Sequence, residues 1–306
     1  MNKLKEKIID ILKGNRYIYI ERRIIAAKKN EMFYPKIEDK EKFIQKKFKR
    51  KLGYDIDFTK EPETFNQKIQ FRKLYDHNPL YSVCADKYGV REYVKEKVGE
   101  EYLIPIYLIT DKLTEEQWEK LPNSFVIKPT HDNGTVRIVK DKKNADRDRI
   151  IKYMNMALEL DYGKFSLESF YSNIPRKIIV EKYLKDNIED YKFNCFNSGE
   201  IVLERVSKAR EISNMYNPYT WEKLNFTTGN IVDTKDYEKP KNLDKMIEIA
   251  KKLSEDFDYV RVDMYNIDGK IYVGELTFCE SSGFGKFTDE TWDYKFGSYW
   301  EQKKFK

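Results

Sequence analysis

The chain is poor in the residues that build metal and disulfide frameworks: it has three cysteines and two histidines among 306 residues. Cys84, Cys195 and Cys279 are odd in number and have no metal-ligand spacing, so free, partly buried thiols in a cytosolic chain are expected. His77 and His131 cannot make a His-rich metal centre. No apolar run approaches the ~20 residues that cross a bilayer. The segment Met1 to Asp10 is charged throughout and lacks a leader's apolar core, so we expect a cytoplasmic location. Charge of one sign is also lacking: 58 basic against 52 acidic residues leave +6, too balanced to call for nucleic acid. Neither GxxxxGK[ST] nor GxGxxG occurs, since Gly283-Phe-Gly285 lacks the third glycine. No Ser/His/Asp or Cys/His set stands out.

Hydrophobic residues make up 40% of the chain and charged residues 36%. That describes a globular chain with a highly charged surface, long enough for about two domains. Residues 1 to about 70 read as helical and basic, with a lysine-rich run from Lys46 to Lys51 and another at Lys303 to Lys306. Solvated faces are the plain reading of both runs; attraction to an anionic membrane or an acidic polymer is the other. Helices are expected over Asn66–Tyr75 and Ser82–Val98, then a strand over Tyr102–Thr110. Thr114-Glu-Glu-Gln117 is a capping box opening a short helix to Leu121. Strands are expected at 124–130, 135–141, 177–184, 191–197 and 200–207. A helix falls near 145–160 and an amphipathic one at 242–257. Asn214 to Thr220 reads as loop. The tail from Ser281 to Trp300 is rich in glycine and aromatics, and Gly283 and Gly285 have the freedom to let backbone approach a ligand.

The most informative stretch runs from Tyr259 to Phe278. Two β-type runs flank Asp268-Gly269, the strongest short hairpin signal. Asp263 lies on one strand and Glu275 on the other, both among apolar neighbours. A three-residue loop would set them opposite each other; a two-residue loop would turn them to opposite faces. A carboxylate in such surroundings is costly unless it meets a cation, and oxygen ligands suit Mg²⁺. Solvated acids on the outer face of a hairpin are the alternative.

Upstream, Ser124 to Thr130 is an apolar strand that carries Lys128 near its end. His131-Asp-Asn-Gly134 follows as a tight loop, and Thr135 to Val139 returns as a strand. Backbone N–H groups of such a flap can face phosphate oxygens, with Lys128 as a point charge on them. Lys177 to Leu184 is a second apolar strand, with Glu181 placed to form the edge of an adenine slot. Asp190 can reach a ribose and Lys192 the phosphates. An ordinary sheet with charged edges is the alternative.

In their order, these pieces resemble the ATP-grasp superfamily, and within it the TupA-like family linked to teichuronopeptide and other surface-polysaccharide synthesis. The resemblance runs through Phe71 to Leu80, Ala85 to Val94, Phe125 to Pro129 with His131 to Gly134, and Val180 to Leu184. It continues in Arg261-Val-Asp263, Gly274 to Phe278, Ser282 to Phe287 and Trp292-Asp293. It implies an α/β (α+β) ATP-grasp fold, with a helical N-terminal region and antiparallel sheets enclosing a nucleotide cleft. The implied division is a basic helical region 1–70, a substrate-side region 71–122, a small lobe 123–184 and a large lobe 185–306 with the metal site. It also implies roles. Lys87 and Lys128 hold ATP phosphates, with His131, Asn133 and Gly134 in the flap. Glu181 and Leu184 form the adenine hinge, with Asp190 at the ribose. Lys192, Arg205, Arg210 and Arg261 serve the reacting groups, and Asp263, Glu275 and Thr277 hold magnesium. Thr277 stands where many ATP-grasp ligases have asparagine, a stronger ligand.

The activity implied is an ATP-dependent ligase joining an amine or amino acid to an anionic, uronic-acid-containing sugar or glycan. A sugar phosphotransferase would need the same nucleotide clamp, and a glycosyltransferase or non-catalytic assembly component is a third reading. The acceptor is expected to be anionic and to meet Arg72, Lys73, Arg91, Arg205, Lys208 and Arg210, because guanidinium groups hold carboxylates in two-point fashion. Peripheral contact with the inner face of the membrane or with glycan-assembly machinery is a further expectation; nucleic acid is not.

Overall fold

The computed structural model describes residues 22, 25–26, 37–207, 212–229, 231–232 and 234–303. Residues 1–21, 23–24 and 27–36 of the expected N-terminal basic region, and Lys208 and Arg210, lie outside the described residues. Among the described residues, helices α1 (Ile37–Leu52), α2 (Phe65–Tyr75), α3 (Pro79–Ala85) and α4 (Val90–Lys97) come first. There follow β1 (Ile106–Thr110), α5 (Glu115–Glu119), β2 (Phe125–Pro129), β3 (Arg137–Val139), α6 (Arg147–Ala157), α7 (Tyr162–Ser166) and β4 (Ile178–Lys182). The chain continues through β5 (Glu189–Phe196), β6 (Ile201–Ser207), β7 (Ile212–Tyr216), β8 (Lys223–Leu224) and β9 (Ile231–Val232). Helix α8 (Leu243–Ser254), the hairpin β10 (Tyr259–Ile267) and β11 (Lys270–Thr277), and α9 (Thr291–Tyr299) complete it.

These elements form two compact units, divided differently from the four expected segments. The described part of the first is residues 22, 25–26, 86–88 and 105–183; that of the second is residues 37–85, 89–104 and the described residues from Leu184 on. In the first unit an antiparallel sheet has the order β1-β4-β2-β3. Strand β2 alternates, with Phe125 and Ile127 buried and Val126 and Lys128 half-buried. Its apolar side joins Val139, Ile178 and Val180 in a core closed by Ile150 and Met154 of α6 and Trp118 of α5. The capping box at Thr114 and Gln117 is present and starts α5. Because side chains alternate along a strand, Lys128 is left on the face turned away from that core.

The second unit carries a larger sheet in the order β11-β10-β5-β6-β7-β8, with β9 paired to β7. Met246, Ile249, Ala250 and Leu253 form the buried stripe of α8, which lies against β10 and β5. Across the sheet, Phe65 of α2 packs edge-on against Tyr259, Phe196 and Phe296.

Four expectations change. The single helix over Ser82–Val98 is two helices, because the Asp86 carboxylate accepts from the Tyr88 backbone at 2.9 Å and turns the chain. Strand β1 begins only at Ile106, after a 3₁₀ turn at Glu100–Tyr102. Asn214 lies inside β7, where it is buried opposite Arg205; the loop starts at Asn217. The glycine-rich tail contains α9, whose Phe296 is buried while Tyr294 is exposed. Gly283, at φ +69°, makes its close approach to Gln70 and Ile69 of α2, where a Cβ would collide.

Candidate active site

In the second unit, one row of charged side chains crosses four strands. The turn at Asp268-Gly269 has two residues, both at positive φ (52° and 87°), as the twist of a tight hairpin requires. The pairs run regularly from Ile267↔Lys270 to Met264↔Val273, after which Gly274 is passed over and Asp263 pairs with Glu275. That bulge resolves the question of facing: a two-residue turn plus one extra residue sets the carboxylates side by side. Asp263 also pairs with Lys192 of β5, and Lys192 with Glu204 of β6. Directly paired residues project to one face, so Glu275, Asp263, Lys192 and Glu204 form a continuous line.

Arg261 lies two residues before Asp263, hence on the same face. It is buried and donates to both Asp263 oxygens at 2.6 Å, to Thr277 Oγ1 at 3.1 Å and to Glu275 at 3.3 Å. It is also ion-paired with Glu280. Lys192 Nζ is 3.9 Å from Glu204. Carboxylates outnumber cations in this group. Burial pushes the Asp263 carboxyl up to about 6, with Glu275 adding to the rise and Arg261 and Lys192 opposing it. Burial works against the Arg261 charge, but Asp263 and Glu275 outweigh it and raise that pKa.

The first unit holds the other set. Lys128 Nζ is 2.7 Å from the Glu181 carboxylate. Val126 pairs with Glu181 and Lys128 with Ile179, so lysine and glutamate share the face away from the core. The break between α3 and α4 delivers Lys87 to this unit. Its backbone N–H donates to Thr130 O at 3.2 Å, and its ammonium donates to Asp132 O. The flap is thus tied down by Lys87, with Asn133 and Gly134 exposed at its tip.

Several expected positions are occupied otherwise. His131 is buried, with Nε2 3.0 Å from Leu160 O. Arg205 pairs with Tyr191, one residue out of step with Lys192, and so lies on the opposite sheet face. There it is ion-paired with Glu189 and its guanidinium lies 3.4 Å from the Tyr237 ring centre. Arg72 is fully buried, donating to Tyr259 O, Phe278 O and Asp258. Lys73 donates to Ser282, and Arg91 to Ile104 O. Each of these cations is thus engaged by groups of the fold, Arg91 being half-buried. Asp190 and Lys192 share the face of Asp263; Asp190 is buried and Leu184 half-buried.

Residues 67–301 match the model of the TupA-like ATP-grasp family. The chain belongs to that family. Among solved structures, the D-alanine–D-alanine ligase of Helicobacter pylori is similar at 16% identity and TM-score 0.41, over 72% of this chain and 62% of that one. The ATP complex of the Bacillus anthracis D-alanine–D-alanine ligase gives 19% and 0.35, over 64% and 53%. An L-amino acid ligase from Bacillus licheniformis gives 13% and 0.40, over 65% and 44%. The TupA-like chain thus spans less than two-thirds of each of these proteins. No curated protein matches it.

Sequence reasoning missed Glu204 of the TupA-like chain's charged row and Glu280 beside Arg261. Glu204 was legible in principle: the hairpin turning at Asn197 to Gly199 sets β6 against β5, and register then places it opposite Lys192. Glu280 had no signal, because it reaches Arg261 from a 3₁₀ turn in which Ser281 and Ser282 adopt left-handed φ.

Proposed function

We propose that this TupA-like protein is an ATP-dependent carboxylate–amine ligase acting on an amino acid or amine and an anionic, uronic-acid-containing sugar or glycan of surface-polysaccharide synthesis. The observation that supports it best is the line of Glu275, Asp263, Lys192 and Glu204, with Asp263 and Glu204 buried and the buried Arg261 clamped among them. Such a line is costly for stability and suited to handling phosphate and metal. In this reading a substrate carboxylate oxygen attacks the γ-phosphorus of ATP, ADP leaves, and an acyl phosphate forms. The amine nitrogen then attacks the acyl carbon, phosphate departs, and the amine's proton is released to water.

The chain's residues divide the work as follows. Glu181 and Leu184 hold adenine and Asp190 the ribose. Lys87, Lys128 and Lys192 balance phosphate charge, with the Asn133-Gly134 backbone closing over it. Arg261 would bind the developing negative charge. Asp263, Glu275 and Thr277 offer oxygen donors only, in a cluster with surplus negative charge, which fits Mg²⁺. When bound there, magnesium supplies neutralisation of the phosphate oxygens. Positioning and charge compensation carry such a reaction.

The test is incubation of the protein with ATP, magnesium, a panel of amino acids and uronic-acid acceptors, the acceptor carboxylate carrying ¹⁸O. Amide product by mass spectrometry with one ¹⁸O transferred to inorganic phosphate is expected. A stable phosphorylated sugar without amide would replace the ligase by a phosphotransferase.

A further inference from the structure

We infer that α1 is a membrane-docking helix that rests on anionic lipid. The helix reads IEDKEKFIQKKFKRKL. Its three acidic residues lie in the first turn and a half, and every charge after Glu41 is basic. At 100° per residue, Ile44 and Phe48 lie on one side, and both are fully buried. The Phe48 ring packs edge-on against Tyr54 at 5.0 Å, which fixes the helix rotation. Lys42, Phe43, Lys46, Lys49 and Arg50 then share an arc of about 120° on the other side, and all five are exposed.

Two features of this arc select the partner. Lys49 is ion-paired with Asp55 at 2.6 Å; Lys42, Lys46 and Arg50 are complementary to a leaflet rich in phosphatidylserine or phosphatidylglycerol. Phe43, in their midst, leaves 52% of its surface in water. An aromatic ring among lysines gains by entering the headgroup region, whereas binding to a soluble polyanion would leave it wet. No described helix is long and apolar enough to cross a membrane, so contact through α1 is peripheral. Docking there would hold the enzyme beside lipid-linked acceptors, and the inference stands on α1 alone, whatever the reaction.

The experiment is co-sedimentation of the full chain with vesicles of phosphatidylcholine alone and with 30 mol% (about one lipid in three) phosphatidylglycerol. Binding only to the anionic vesicles, weakened by salt, is expected. The triple variant Lys42→Ala, Lys46→Ala, Arg50→Ala should lose about tenfold or more in partitioning. Phe43→Ser should lose several-fold with charge unchanged. Both change exposed side chains, and unaltered thermal unfolding will show that the fold is kept. Equal binding to neutral vesicles, no binding to anionic ones, or anionic binding indifferent to the triple variant overturns the inference. So does binding to soluble polyuronate as tight as to the vesicles with no effect of Phe43→Ser, which would make the helix a polymer-binding face.

Discussion

Replacing Lys128 by methionine separates two roles that the structure gives to one side chain. Lys128 is ion-paired at 2.7 Å with Glu181, their side chains 16% and 8% exposed. Removing one partner of a well-buried pair costs about 3–5 kcal/mol, chiefly by stranding the other charge. Lys128 keeps some water, so we expect Lys128→Met to lose about 2–3 kcal/mol in urea unfolding. Glu181→Gln alone should lose less, because the lysine can turn to solvent. In the double variant no charge is stranded, and most of the Lys128→Met loss should return. ATP affinity should behave differently. A hydrogen bond to a charged group contributes about 1.5–3 kcal/mol, so Lys128→Met should raise the Kd for ATP about tenfold to a hundredfold. Adenosine affinity should stay the same, since the ammonium is assigned to phosphate. Calorimetric titration with ATP and adenosine, beside urea melts of the four proteins, makes the comparison. An unchanged Kd for ATP, or equal losses for both ligands, refutes the phosphate role. Unchanged stability in Lys128→Met refutes the ion pair.

Asp263→Asn and Glu275→Gln should abolish turnover in the ligase assay; rates near wild type in either would reject the metal assignment. Arg72→Met should cost about 3–5 kcal/mol by stranding Asp258 and two backbone carbonyls, read as a lowered Tm, with any surviving activity unchanged in acceptor KM; a raised KM at full stability would return Arg72 to the substrate site. Burial, with Arg176 and Lys87 adding to it, lowers the His131 pKa below the ordinary 6.5. The unfolded chain then takes up the proton first, so the His131 share of stability is present above pH 6.5 and lost as pH falls below it. Tm measured from pH 7.5 to 5.5 should fall less in His131→Asn than in wild type; parallel curves would refute the burial argument.

How far the chain could be read from its sequence depended on period and register. Strand β2 showed itself as the short apolar run Phe125-Val126-Ile127 before Lys128, and α8 because Met246, Ile249 and Leu253 recur at helical spacing. The hairpin was legible from Asp268-Gly269, but its register was not. The bulge at Gly274 depends on strand twist, which leaves no mark beyond a glycine. Arg205 stood with Lys192 among the expected site residues, but its register opposite Tyr191 puts it one step out of line, and one step along a strand reverses the face. Arg72 was misread for another reason: a buried arginine and a surface arginine look alike until its acceptors arrive from β10 and the end of the hairpin. The break at Asp86 hid because Asp and Gly near a helix end are also compatible with a continuous helix.

That dependence of Arg72 on distant partners bears on how the protein is made. Its acceptors Tyr259 O and Phe278 O come 187 and 206 residues later in the chain. Asn66, in the same helix, awaits Asp293, 227 residues on. During synthesis, residues 105–183 can close their small sheet and core from contacts within one stretch. Helices α1 to α4 leave the ribosome earlier, yet their sheet is the last part to emerge. Their apolar faces must therefore stay open through most of translation, the condition in which nascent chains aggregate or engage chaperones. A stop or truncation before Glu189 would leave a finished first unit joined to helices α1 to α4 without any strand of the larger sheet to fold onto.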